Sequence, residues 1–88
     1  MFENTSGVGN TAIGSAVLWN NTTGDYNVAM GESTLFNNTT GNFNVALGYR
    51  AAFNSNISNI VAVGSQALSS NTTGAHNTAV GFNSLYSN

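Results

Sequence analysis

The sequence predicts an all-β fold: a parallel β-roll, or β-solenoid, of about five 17-residue coils. Three observations carry this. One phrase recurs along the chain, as Asn10-Thr11-Ala12-Ile13-Gly14, Asn27-Val28-Ala29-Met30-Gly31, Asn44-Val45-Ala46-Leu47-Gly48, Ile60-Val61-Ala62-Val63-Gly64 and Asn77-Thr78-Ala79-Val80-Gly81. Its closing glycines stand at positions 14, 31, 48, 64 and 81, so the steps are 17, 17, 16 and 17. A second phrase keeps the same period: Asn21-Thr22-Thr23-Gly24, Asn38-Thr39-Thr40-Gly41 and Asn71-Thr72-Thr73-Gly74. Finally, no 3.6-residue period appears, and a unit this short cannot hold two helices and their loops.

Taken in order, residues 1–10 align with 18–27, so the chain opens in mid-repeat. The units then run over 10–26, 27–43, 44–59 and 60–76, and a fifth begins at 77. Unit three is irregular. It carries Asn54-Ser55-Asn56-Ile57-Ser58 in place of Asn-Thr-Thr-Gly and is one residue short, and Ala52 replaces the leucine found at 18, 35, 68 and 85. No linker divides the chain, so residues 1–88 read as a single repeat domain, expected to be a fragment of a longer fibrous protein.

Each unit reads as strand, turn, strand, turn. In Val45-Ala46-Leu47 the period of two puts Val45 and Leu47 on one face and Ala46 on the other. Gly48 ends the strand where a side chain would be crowded or φ positive. A second short strand is expected around Leu35. The Asn-Thr-Thr-Gly phrase is turn chemistry, with Asn and Thr bonding local backbone and Gly supplying positive φ. With so short a coil, each strand must pair with its own copy one turn on, in parallel, about 4.8 Å away.

The units stack into columns. Thr11, Val28, Val45, Val61 and Thr78 form one, Ile13, Met30, Leu47, Val63 and Val80 another, and Leu18, Leu35, Ala52, Leu68 and Leu85 a third. These three are expected to make the core. The alanine column (Ala12, Ala29, Ala46, Ala62, Ala79) then faces outward, pressed against identical chains. The aromatic column of Phe2, Trp19, Phe36, Phe53 and Tyr86, interrupted by Ser69, follows the leucines and is expected to point outward too. A stripe this apolar calls for a cover. The candidate subunit interface is therefore Ala12, Ala29, Ala46, Ala62, Ala79, Trp19, Phe36, Phe53 and Tyr86. Tyr26, Phe43 and His76 make a weaker outer line. The column Asn10, Asn27, Asn44 and Asn77 is expected to form a ladder of stacked amides.

Composition narrows the function classes. The net charge of −2, with one Lys or Arg in all, offers no basic patch for nucleic acid or acidic membranes. No Cys is present, so disulfides and thiolate metal sites are excluded. No apolar run approaches the roughly 18 residues of a membrane span. Three carboxylates, one Arg and one His lie scattered in different columns. That supports no nucleophile–base pair, cofactor or metal site, and an enzyme is not expected. The N-x-S/T triplets double as turn residues.

The NTAIG, NVAMG, NVALG, VAVG and NTAVG phrases resemble the YadA-like head repeats of trimeric autotransporter adhesins. Similar repeats occur in phage tail-fibre and surface proteins. The resemblance spans nearly the whole chain. It implies a left-handed β-roll, three chains packed side by side as a homotrimer, and an extracellular place on a bacterial surface or phage virion. The repeat here is longer than many in that family, because of the Asn-Thr-Thr-Gly phrase. No ligand residue carries over. The expected function is a non-enzymatic structural or adhesive fibre segment, with a host-surface receptor or glycan as possible partner. Two other readings stand beside it: a carbohydrate-binding module using Trp19, Phe36 and Phe53, and an ice-binding array built on the repeated threonine pairs.

Overall fold

The computed structural model describes residues 7–70 and 76–85. Five three-residue strands, β1 (Thr11–Ile13), β2 (Val28–Met30), β3 (Val45–Leu47), β4 (Val61–Val63) and β5 (Thr78–Val80), form one parallel sheet in chain order. The register is the one the repeat dictates: Ala12, Ala29, Ala46, Ala62 and Ala79 lie side by side across the sheet. The chain is therefore a β-solenoid, each coil contributing one rung. Backbone bonds continue the rungs outside the strands, as where Val28 N–H donates to Asn44 C=O at 2.8 Å and Gly48 N–H to Met30 C=O at 2.8 Å.

The second strand does not form. Residues 49–54 and their equivalents are turns, and Leu18, Leu35, Ala52 and Leu68 sit at φ 50 to 53, with Ala16, Ser33, Arg50 and Gln66 at φ 56 to 62. Left-handed residues two apart curl the backbone, so no extended segment survives there. Such residues typically cost L-amino acids about 1–2 kcal/mol each, a strain that the inter-coil hydrogen bonds must outweigh. The leucines still point inward as expected. Leu18, Leu35, Ala52 and Leu68 are fully buried, while Leu85, in the last described coil, is half exposed.

The strand faces are the reverse of the sequence expectation. The alanines are the inner face: Ala29, Ala46, Ala62 and Ala79 are buried and Ala12 packs against the same cluster. The valine, isoleucine, leucine and methionine positions on either side of them point out. The reason is thickness. The molecule is only 16 Å deep, and two backbone layers stand about 10 Å apart. A leucine from the turn side fills most of that gap, so the strand side has room for a methyl group and little more. The core is Leu18, Leu35, Leu68, Val17, Ile60 and the alanines.

Asparagine ladders hold the coils in register. Asn27 N–H donates to Asn10 Oδ1 at 2.9 Å, Asn44 N–H to Asn27 Oδ1 at 3.0 Å, and Ile60 N–H to Asn44 Oδ1 at 3.1 Å. The amide nitrogens turn the other way, to the carbonyls of Gly24, Gly41 and Ile57. The expected ladder of amide on amide is thus mainly amide on backbone, with one side-chain link from Asn27 to Asn10. A second, buried column runs Asn21, Asn38, Ser55, and a third, nearer the surface, Asn20, Asn37, Asn54.

Glycine acts sterically in two ways. At Gly48, φ is +120 and an added Cβ would stand 2.8 Å from the Gly64 carbonyl group, so crowding and positive φ both apply. Gly41, by contrast, does not have positive φ; its need is space, because a Cβ would run into the Ile57 carbonyl oxygen. The Asn21–Gly24 and Asn38–Gly41 turns are closed by matching Asn Nδ2–H donations to Gly C=O at 3.1 and 3.0 Å. The corresponding phrase at 71–74 lies outside the described residues.

Candidate assembly surface

The outward face of the sheet is apolar, with Ile13, Val28, Met30 and Val80 exposed along it. Two residues before each strand the backbone turns left-handed at Tyr26, Phe43, Asn59 and His76, and these exposed side chains flank the rows Val28–Met30, Val45–Leu47, Val61–Val63 and Thr78–Val80. Tyr26 and Phe43 are 53% and 58% exposed, and their rings stack at 5.5 Å with an interplanar angle of 12°. In coils four and five the same column turns polar, as Asn59 and His76. Beyond the strands, Tyr49 and Phe82 are exposed two residues after β3 and β5. Isolated exposed apolar residues are ordinary; a row of them along one sheet face is a candidate contact surface.

The aromatic column behaves as the sequence suggests, with a termination it does not. Trp19 and Phe36 stack at 6.4 Å and 3°, and Phe36 and Phe53 at 5.0 Å and 11°. Trp19 is 38% exposed, and Phe36 and Phe53 are half-buried. Coil four offers Ser69 there, and the Arg50 guanidinium lies over the Phe53 ring, 4.2 Å from its centroid. This cation–π contact caps the stack. Phe2 and Tyr86, the remaining members, lie outside the described residues.

Of the sequence-derived interface candidates, Trp19, Phe36 and Phe53 are therefore on the surface, while Ala29, Ala46, Ala62 and Ala79 are buried inside the coil, with Ala12 half-buried against them, so the alanine column faces the interior rather than a neighbouring chain. The surface residues missed were Val28, Met30, Val45, Leu47, Val61 and Val63. The available signal was the row of bulky apolar residues itself, read as core because it is apolar. Among the described residues no pocket forms, and no three of His, Asp and Glu cluster.

Charges flank the sheet. Asp25 lies three residues before β2; its Oδ1 accepts the Val8 N–H at 2.9 Å. Glu32 and Arg50 follow the C-terminal ends of β2 and β3. These residues form no ion pair among the described residues.

Fold and surface together define a β-solenoid repeat protein with one apolar sheet face. No family model, no curated protein and no solved structure matches the chain.

Proposed function

We propose that this chain is a non-enzymatic structural or adhesive segment of a homotrimeric extracellular fibre, of the YadA-like head type, on a bacterial surface or a phage virion. The observation that carries the reading is the outward apolar face of the sheet, on a chain whose charged residues amount to 5%. Three copies packed through Val28, Met30, Val45, Leu47, Val61 and Val63 would bury that face and add a second apolar layer to the narrow core of each coil. The left-handed coil and the number three come from the repeat resemblance. In this role the segment holds a binding tip away from the particle or touches a host receptor or glycan along its outer flank.

The absence of cysteine from the sequence makes the interface easy to probe. Val45→Cys should form an interchain disulfide under mild oxidation, while Thr40→Cys, in an exposed turn, should not. Equal cross-linking at both positions would count against the sheet face as the interface.

The geometry weighs against the two other readings. The rings of Trp19, Phe36 and Phe53 stack upon one another, so the faces they turn to each other are closed to a sugar. The Thr22 hydroxyl donates to Thr39 C=O at 3.1 Å, which removes it from a water-ordering array.

A further inference from the structure

Among the described residues, one buried side-chain oxygen meets no donor: Asn38 Oδ1, on a fully buried residue. The orientation of this amide is fixed by its neighbours. Its nitrogen donates to Gly41 C=O at 3.0 Å and to Asn21 Oδ1 at 3.2 Å, and Asn21 is held in turn by donation to Gly24 C=O at 3.1 Å. A flipped Asn38 would set oxygen against oxygen on that side. By the repeat, Oδ1 then points on to coil three, as Asn21 Oδ1 points to coil two.

Coil two shows what belongs there. Its Asn38 nitrogen joins two acceptors, the carbonyl of its own turn and the side-chain oxygen one coil back. In coil three the same two acceptors are Ile57 C=O and Asn38 Oδ1. Ile57 C=O takes the part that Gly41 C=O plays in coil two. It accepts Asn44 Nδ2–H at 2.7 Å, as Gly41 C=O accepts Asn27 Nδ2–H at 2.9 Å. It also lies over Gly41 as Gly41 C=O lies over Gly24. The residue placed to carry the joining nitrogen is Ser55, which is shorter than asparagine. Its hydroxyl has one O–H and donates it to Leu68 C=O at 3.3 Å. Two acceptors thus converge on a place that the side chain of coil three does not reach.

We propose that this place is a binding site for a single buried water, which donates one O–H to Asn38 Oδ1 and the other to Ile57 C=O. Two converging acceptors call for a molecule with two donors. Serine in place of asparagine frees a volume close to the roughly 30 Å³ that a water occupies in the liquid. A cation is the poorer occupant, because no carboxylate occurs between Asn38 and Asn59 to offset a buried charge. The water carries the buried amide column across the irregular coil and ties coil two to coil three. The site lies within one chain and stands whether or not copies assemble.

The test is a crystal structure of the full chain, with oxygen-17 relaxation dispersion of water as its counterpart in solution. The expected result is a density peak about 2.7–3.0 Å from both oxygens, with no anomalous signal there after soaking in rubidium chloride. In solution the parent should hold one long-lived water more than Ser55→Asn, whose amide takes the water's place. Equal dispersion from the parent and a folded Ser55→Asn overturns the site. So does a crystal in which coil three closes on Asn38 without a peak, or in which Asn38 Oδ1 accepts from a protein donor. A rubidium peak between the two oxygens overturns the assignment to water and makes the occupant a cation. If Ser55→Asn fails to fold, the parent crystal decides alone.

Discussion

The side-chain oxygen of Asn27 accepts the backbone N–H of Asn44, one coil on, at 3.0 Å, while its amide nitrogen donates to Gly41 C=O at 2.9 Å. One buried side chain thus serves two backbone groups that the sheet itself leaves over. Truncation should expose the cost. Asn27→Ala leaves a buried donor and a buried acceptor unmet, and should lower stability by roughly 2–4 kcal/mol. A urea midpoint unchanged from the parent would mean that the ladder is incidental.

The second asparagine column breaks at the irregular coil. Asn38 Nδ2–H reaches Asn21 Oδ1 at 3.2 Å, but above it stands Ser55, and Asn38 Oδ1 is a buried oxygen with no partner. Ser55→Asn restores the repeat's own residue and a donor at that place. It should stabilise the chain by about 1 kcal/mol in chemical denaturation. A lower midpoint would show that the shortened coil has no room for the amide.

Gly48 faces the backbone of Gly64 across one rung, at a φ that L-residues rarely adopt. Gly48→Ala combines backbone strain with a forced separation of neighbouring coils. A loss of about 2–4 kcal/mol is expected, at the upper end of ordinary single substitutions. Thermal melting within one degree of the parent would contradict this close approach.

Ala46 is fully buried beneath the sheet, whereas its neighbour Leu47 is half-buried and turned outward. Ala46→Leu should therefore overpack the interior of each coil, costing about 1–3 kcal/mol or preventing folding. Leu47→Ala should leave the β signal of the dissociated chain intact and act on assembly instead. The opposite pattern, with Ala46→Leu acting only on association, would restore the alanines to the surface.

Much of this was legible from the repeat. The strand positions, their parallel pairing and the register of the alanine column follow from a period near 17, because a coil so short leaves a strand no partner but its own copy. Which face is inside was not legible. Val45 and Leu47 are more apolar than Ala46, and hydrophobicity does not distinguish a side chain buried by its own chain from one awaiting a second chain. Thickness decided it, and thickness depends on the turn-side leucines. The second strand failed for a related reason. Leu35 has the composition of a strand residue, yet its φ of 52 follows from how the coil must close, which no local preference announces. The orphaned Asn38 oxygen was foreshadowed only as an irregularity at Asn54-Ser55-Asn56.

The central claim is that the apolar sheet face exists to meet copies of the same chain. Its most direct test is the molar mass of the parent protein in solution, measured by light scattering across a dilution series. The account predicts a particle of three chains, each of 9.1 kDa, that Leu47→Glu converts to folded or unfolded monomer. A parent that stays monomeric at high concentration, with its full β signal, would contradict it.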